Sequence, residues 1–267
     1  MIRFDITTAI QDALAMLDAD EAPEARDYLG GLLLEGGPEP DPYDVACDLL
    51  ALDRPAPLPA ILRGLIEELL EVSFYEDGNA DAMNDLGTQY YDGARGFEQS
   101  YAKAVECYER AAEKGSRQAQ ENLGYCHYYG RSVPVDYEKA FRCFAPGAFE
   151  GNIVSLYKIG DMYRDGLCVE KDPAEAFRIY SRCLDTMTDE AAPRCAGPVY
   201  LRVGDALLGG DGTPEDPKGA LICFQRAETF LYDMVAGGGA SYADSLRAAV
   251  EGQAKARAKL AAALAGL

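Results

Sequence analysis

The sequence has no tryptophan, a single histidine (His127) and a shortage of positive charge: 25 Lys and Arg stand against 45 Asp and Glu, for a formal net charge of -20. Each shortage removes a class of function. With one histidine, multi-histidine metal sites and histidine-based triads lose their usual parts. Cys126 is its neighbour in sequence, and on a helix adjacent side chains diverge by about 100°, too far apart for a nucleophile–base pair. No Cys-x2-Cys pair exists to hold zinc. The scarcity of bases argues against nucleic acid and against anionic membrane surfaces, which need clustered Lys and Arg, while a basic partner fits. No stretch approaches the ~20 apolar residues of a membrane helix, and the first residues carry no sustained apolar run, so neither a spanning segment nor a signal peptide is expected. Acidic pairs such as Glu67-Glu68 and Asp18-x-Asp20 read as solvated surface in so acidic a chain. The glycines Gly237, Gly238 and Gly239 lack the Lys-Ser/Thr of a phosphate loop and read as a linker. No catalytic constellation, cofactor motif or metal site emerges.

What is present is repetition. The stretch 79–115 carries Ala82-x3-Leu86-Gly87-x2-Tyr90-x2-Gly93, then Ala104-x3-Tyr108-x2-Ala111-Ala112-x2-Gly115. Gly87 recurs as Gly124, Gly160 and Gly204, at steps of 37, 36 and 44 residues. Ala104 recurs as Ala140, Ala176 and Ala220, at steps of 36, 36 and 44. Two separate landmarks share one period, which defines four repeats: 79–115, 116–151, 152–188 and 189–235. The longer fourth repeat takes its additional residues around 188–197.

Each repeat reads as a helical hairpin. Ala82, Leu86 and Tyr90 recur every four residues and share one face of a first helix. Gly87 removes a side chain where the second helix must come close, at a cost of about 1 kcal/mol in helix propensity that packing has to offset. Gly93, Gly130, Gly166 and Gly210 stand where a left-handed residue ends a helix. Ser100, Asp136, Asp172 and Asp216 are N-cap candidates for the second helix, the last two followed by Pro. In that helix Ala104, Ala140, Ala176 and Ala220 permit close contact, and Tyr108, Phe144, Tyr180 and Phe224 fill the space between helices. His127 occupies the place of Tyr90 and Tyr163 and reads as a packing ring. Cys107, Cys143 and Cys223 share one repeat position, three residues after the landmark Ala, so they read as small hydrophobes rather than disulfide partners. A reducing cytoplasm is the expected setting.

The pattern Ala-x3-Leu-Gly-x2-Tyr-x2-Gly, then Asp-x3-Ala-x3-Tyr/Phe-x2-Ala-Ala-x2-Gly, resembles the Sel-one-like repeat (SLR) family, relatives of the tetratricopeptide repeats. The first two repeats match closely, the third loses the closing Ala-Ala, and the fourth has Val203 and Leu207 in place of Leu and Tyr. The resemblance covers about 60% of the chain. It implies an all-α fold, a right-handed α/α superhelix that scaffolds other proteins, often in bacterial signalling, secretion or envelope assembly, rather than an enzyme. Some cysteine-rich members are disulfide-bonded and secreted, but the cysteines here do not follow their paired placement.

Outside the repeats, 1–78 is an acidic helical region with 18 acids and 4 bases. Ala25-x3-Leu29-Gly30-x2-Leu33-x2-Gly36 echoes the first half of the template, so 22–52 reads either as a degenerate repeat or as an ordinary helix pair sharing a Leu-Gly. Three prolines within 54–59 break helix, and an amphipathic helix resumes over 58–75 as a cap or spacer. The C-terminal part, 236–267, supplies a capping helix or the first helix of an incomplete fifth unit.

If the first helix of each hairpin lines the concave side, recognition falls on its face away from Leu86 and Tyr90. On a helical wheel 81, 84, 88 and 91 lie within about 80° of one another. The candidate groove is therefore Asp81, Asn84, Thr88 and Tyr91, then Gln118, Glu121, Tyr125 and Tyr128. It continues through Val154, Tyr157, Asp161 and Arg164 to Pro198, Leu201, Asp205 and Leu208. Tyrosines offer contact area at little entropic cost, which suits a protein or peptide partner. A second reading is an enzyme or small-ligand protein with a pocket between the acidic N-terminal region and the first repeat. A third makes the acidic block itself the docking element for a basic protein.

Overall fold

The computed structural model describes residues 4–18, 20–34, 39–52, 57–187, 195–236 and 242–265, and among these every regular element is helical. Residues 54–56 of the Pro-rich break, Gly36, the insertion at 188–194 and the glycines Gly237, Gly238 and Gly239 lie outside the described residues. The chain divides into two compact units, Met1–Asp136 and Tyr137–Leu267, and each is taken by itself.

The first unit begins with α1 (Ile6–Met16), α2 (Pro23–Leu32), α3 (Pro42–Ala51) and α4 (Ala60–Tyr75). The first repeat follows as α5 (Ala80–Asp92) and α6 (Tyr101–Glu113), and α7 (Arg117–Tyr129) opens the second. The second unit holds α8 (Tyr137–Glu150), α9 (Ile153–Asp165), α10 (Pro173–Thr186), α11 (Ala196–Gly209), α12 (Pro217–Ala236) and α13 (Ala243–Ala265).

The hairpins close as their landmarks require. Tyr108, Phe144, Tyr180 and Phe224 are fully buried, as are Ala104, Ala140, Ala176 and Ala220. A Cβ added to Gly87 would stand 2.7 Å from the Tyr108 ring, one on Gly160 2.5 Å from Tyr180, and one on Gly204 2.8 Å from Phe224. These glycines are where the aromatic ring of the second helix lies against the backbone of the first. Gly93, Gly130, Gly166 and Gly210 end their helices at φ between 63° and 74°, in the left-handed region. Ser100 accepts from the Lys103 amide at 3.3 Å, Asp172 from Glu175 at 2.9 Å and Asp216 from Gly219 at 3.0 Å, which caps the second helices.

Two junctions recur that no side chain announces. The cap residue of the second helix donates its amide to the carbonyl at the Tyr90 position: Ser100 to Tyr90 (2.8 Å), Asp136 to His127 (3.0 Å), Asp172 to Tyr163 (2.8 Å) and Asp216 to Leu207 (2.9 Å). Because the acceptor is backbone, Tyr, His and Leu serve alike. Between repeats, a positive-φ glycine precedes an N-cap whose amide reaches back, Ser116 to Ala111 (3.0 Å) and Asn152 to Gly147 (2.9 Å).

The N-terminal region uses the second junction too. Gly78 has φ 76°, Asn79 donates to the Ser73 carbonyl at 3.1 Å, and α4 packs on both α3 and α5. The hairpin preceding the first repeat is therefore α3 with α4, and not the α2–α3 pair that the Leu29-Gly30 echo suggests. Tyr28 does donate to Asp48 across α2 and α3 at 2.6 Å, but a Cβ on Gly30 would meet nothing within 4 Å. That glycine does not hold a ring against its helix. In the second unit α13 covers α12, and a Cβ on Gly252 would stand 2.6 Å from Phe224, on the ring that Gly204 also touches.

These glycines give a paired test. Gly87→Ala should destabilise the protein by about 1–3 kcal/mol, because the ring has to move. Gly64→Ala, on α4 with open space around it, should instead stabilise by about 0.5–1 kcal/mol through helix propensity. Urea unfolding followed by circular dichroism reads both.

Candidate functional site

The proposed strip separates into residues that the fold consumes and residues that it leaves to the surface. In the first unit Asp81 and Gln118 are exposed, and Thr88, Tyr91, Tyr125 and Tyr128 are half-buried. Asn84 is 5% exposed and Glu121 7%. The Asn84 amide donates to Asp85 at 3.2 Å, its oxygen accepts from Asn122 at 2.9 Å, and Tyr43 donates to Asp85 at 2.8 Å. This polar ladder joins α3, α5 and α7. It removes Asn84 from the accessible strip, and Glu121, which accepts from Gln118 at 3.5 Å, is buried as well. Burial pushes the Asp85 carboxyl above the usual carboxylate range, against the lowering effect of its bonds from Tyr43 and Asn84.

In the second unit Tyr157 is 8% exposed and Asp161 1%. Arg202 of α11 grips Asp161 with Nε and Nη2, the latter at 2.6 Å, and the Tyr180 hydroxyl donates to the same carboxylate at 2.8 Å. Lys158 lies 3.9 Å and Arg164 3.4 Å from it, and the Arg202 guanidinium stands 4.9 Å from the centre of the Tyr157 ring. Burial works against ionisation of Asp161, but the Arg202 charge and hydrogen bonds, with Lys158 and Arg164, outweigh it and hold the carboxyl below its usual range. Burial is also the leading influence on Lys158, whose ammonium falls to about 8 although Asp161 opposes the shift. The cluster is an internal tie between α9 and α11.

The apolar end of the strip is partly covered as well. Leu201 and Leu208 pack against Ala220, Phe224 and Ala256, the last from α13, and Pro198 is buried. Lys259 of α13 donates to the Leu208 carbonyl at 2.7 Å. Val154, Arg164, Leu201 and Leu208 are half-buried and Asp205 is exposed, so in the second unit only Asp205 of the strip is fully accessible.

What the first unit leaves accessible is aromatic. Tyr91 meets Tyr101 edge-on at 5.0 Å, and Arg131 stands 4.9 Å over Tyr101. Tyr125 stacks on Tyr129 at 6.1 Å, and Tyr128 meets Tyr129 at 4.9 Å. Tyr129 is 48% exposed. Tyr101, Tyr129 and Arg131 were missed by the wheel, although Tyr125 and Tyr129 are an i, i+4 pair that spacing alone could have found.

The second helices explain part of this division. Tyr108 donates to Thr88 at 3.4 Å, just as Tyr180 donates to Asp161. Phe144 and Phe224 carry no hydroxyl, so the matching strip positions, Tyr125 and Asp205, have no such acceptor to supply.

Among the described residues no group of three or more His, Cys, Asp or Glu could hold a metal, and no helix is long and apolar enough to cross a membrane. A groove of about 690 Å³ lies within the N-terminal region, between α1 and α4, and no residue of the first repeat lines it.

Residues 80–116, 117–149, 153–182 and 198–228 match the Sel1 repeat. Two solved structures share the fold. A Sel1 repeat protein from Oxalobacter formigenes is 21% identical, covers 84% of this chain and 85% of that one, and superposes with a TM-score of 0.55. The c5321 protective antigen of uropathogenic Escherichia coli, described as displaying an SLR fold, is 18% identical over 96% of this chain and 56% of that one, with a TM-score of 0.50. Among curated proteins, the ERAD-associated E3 ubiquitin-protein ligase component HRD3A of Arabidopsis thaliana is 41% identical over 61 residues. That match spans 23% of this chain and 9% of the Arabidopsis protein.

The Asp161 cluster predicts a pH-linked stability. Arg202→Met leaves the buried Asp161 carboxylate with only the more distant Lys158 and Arg164 cations and should cost about 3–5 kcal/mol. The folded carboxyl titrates below the unfolded one, so the unfolded chain binds more protons as the pH falls. The wild-type advantage should be complete above about pH 4 and shrink as the pH drops through the folded value. Chemical unfolding across a pH series checks the sign.

Proposed function

The chain belongs to the Sel1 repeat family through four consecutive repeats, and from that premise we propose that it is a non-catalytic scaffold that binds a segment of another protein along the tyrosine-bearing face of α5 and α7. Sel1 repeats are in general protein–protein interaction modules. The observation that carries the finer reading is the division of the strip: Tyr91, Tyr125 and Tyr128, with Tyr129 beside them, remain at the surface where Asn84, Glu121 and Asp161 are taken up internally. Aromatic side chains with few rotatable bonds anchor interfaces at low entropic cost. Exposed Asp81 on the same face favours a partner segment that carries basic residues. The 61-residue likeness to a component of a ubiquitin-ligase assembly supports an adaptor role at this general level.

A reducing, cytoplasmic setting is part of the proposal. Cys107, Cys143 and Cys223 keep the packing position three residues after the landmark Ala, and burial pushes their thiols up, Cys107 to about 12. Such thiols stay protonated and act as core atoms.

Affinity capture with the full chain followed by mass spectrometry identifies the partner. The paired substitution Tyr125→Ala with Tyr128→Ala should then abolish its recovery while leaving the helical circular dichroism unchanged. Undiminished recovery by the paired variant would place recognition on another face.

A further inference from the structure

A second surface of the first unit, separate from the tyrosine strip, has the shape and charge of a receptor for a helix. α1 and α4 do not meet along their whole length, and a groove of about 690 Å³ opens between them. Its floor is apolar, built from Ala9, Ile61, Leu65 and Val72. Gly64 sits in it exposed, and a Cβ there would have nothing within 4 Å. The groove follows α4 from Ala60 to Glu76, about 24 Å at 1.5 Å per residue, or four to five helical turns. Ala9 and Gly64 in this lining let another helix lie close to both walls.

The rim has one sign. Asp12 lies on the α1 side, Glu68 and Glu76 lie on the α4 side, and no lining residue is basic. These three carboxylates make no hydrogen bond or ion pair among the described residues. Asp5, which also lines the groove, is instead engaged as the cap of α1, accepting from the Thr8 amide at 3.2 Å. The surrounding region has 18 acids against 4 bases, so it offers almost no competing cation.

We propose that the α1–α4 groove docks a basic amphipathic helix of a partner protein, apolar residues at i, i+3, i+4 and i+7 against the apolar floor and flanking Lys or Arg against Asp12, Glu68 and Glu76. An acidic helix is repelled at the rim, and an extended polar peptide has nothing to bury on the floor. A helix of matched pattern satisfies both features at once.

The test uses the full chain and three synthetic peptides of equal length, followed by fluorescence anisotropy. One is a Leu/Lys amphipathic helix, one carries the same lysines with Ser replacing each Leu, and one is the Leu/Glu counterpart. The Leu/Lys helix should bind, and the other two should be weaker by about tenfold or more. Gly64→Gln lays a polar side chain over the floor without a clash, and Asp12→Lys with Glu68→Lys reverses the rim. Each variant should weaken the Leu/Lys helix by about tenfold, and the interaction should weaken as salt is raised. Tyr125→Ala with Tyr128→Ala should leave this binding unchanged, which separates it from the tyrosine strip. Equal binding of the Ser-for-Leu peptide, or unaltered binding by both groove variants, overturns the proposal. So does a dimer of the chain that Gly64→Gln dissociates, because the occupant would then be a second copy.

Discussion

The contact on which the hairpins depend is an aromatic ring lying against a bare stretch of helix backbone. Tyr108 on Gly87, Tyr180 on Gly160 and Phe224 on Gly204 bring two helices as close as a ring allows, because no Cβ stands between them. Once that spacing is set, the small residues at Ala104, Ala176 and Ala220 follow, since a larger side chain would force the pair apart. The turn is then fixed by backbone: a left-handed glycine, and the amide of the next helix's cap residue returned to the carbonyl three residues before that glycine, as from Ser100 to Tyr90 in the first repeat. Helix propensity is sacrificed at each Gly, and ring burial more than offsets the loss.

Packing one first helix beside the next has a further consequence for polarity. Residues opposite the apolar face do not all look into water; in the first unit several look at the neighbouring first helix. A polar group there must find a polar partner, because an unsatisfied buried amide or carboxylate costs more than the bond returns. Asn84 meets Asn122, and in the second unit Asp161 meets Arg202. The choice of Tyr or Phe in the second helix feeds into the same accounting. A tyrosine hydroxyl claims an acceptor from the first helix, Thr88 for Tyr108 and Asp161 for Tyr180.

These relations explain what could be read from the residues and what could not. The hairpins were legible because their determinants stand at fixed spacing: Gly87, Ala104 and an aromatic ring at the Tyr108 position recur three more times. The strip was legible only in part. A helical wheel assumes that a polar face is a wet face; Asn84 and Asp161 break that assumption by pairing inside the array, and Glu121 by its burial. Leu201 and Leu208 mislead in the opposite way, since their exposure depends on where α13 lies, and Gly252 against Phe224 has no counterpart in the template. The α3–α4 hairpin stayed hidden because its junction is written in Gly78 and in a backbone bond from Asn79, while α4 carries Glu67 and Glu71 where the template has Ala104 and Tyr108. The Leu29-Gly30 echo had the letters without a ring to receive.

Recognition in a repeat protein needs positions that can change without loosening the stack. The tyrosines of α5 and α7 meet that condition in part, because their neighbours Thr88 and Asn84 carry the hydrogen bonds that join helices. Asp12, Glu68 and Glu76 meet it more fully: they border the α1–α4 groove, hold no helix to another, and surround a floor that Leu65 and Ala13 keep apolar. A charge on an internal tie such as Asp161 is fixed by Arg202 and cannot be exchanged for affinity. A charge on an open rim contributes nothing to the fold and acts on whatever approaches. In the proposed docking, the acidity of this rim acts on partner choice rather than on stability, and its effect should weaken with salt as exposed charges do.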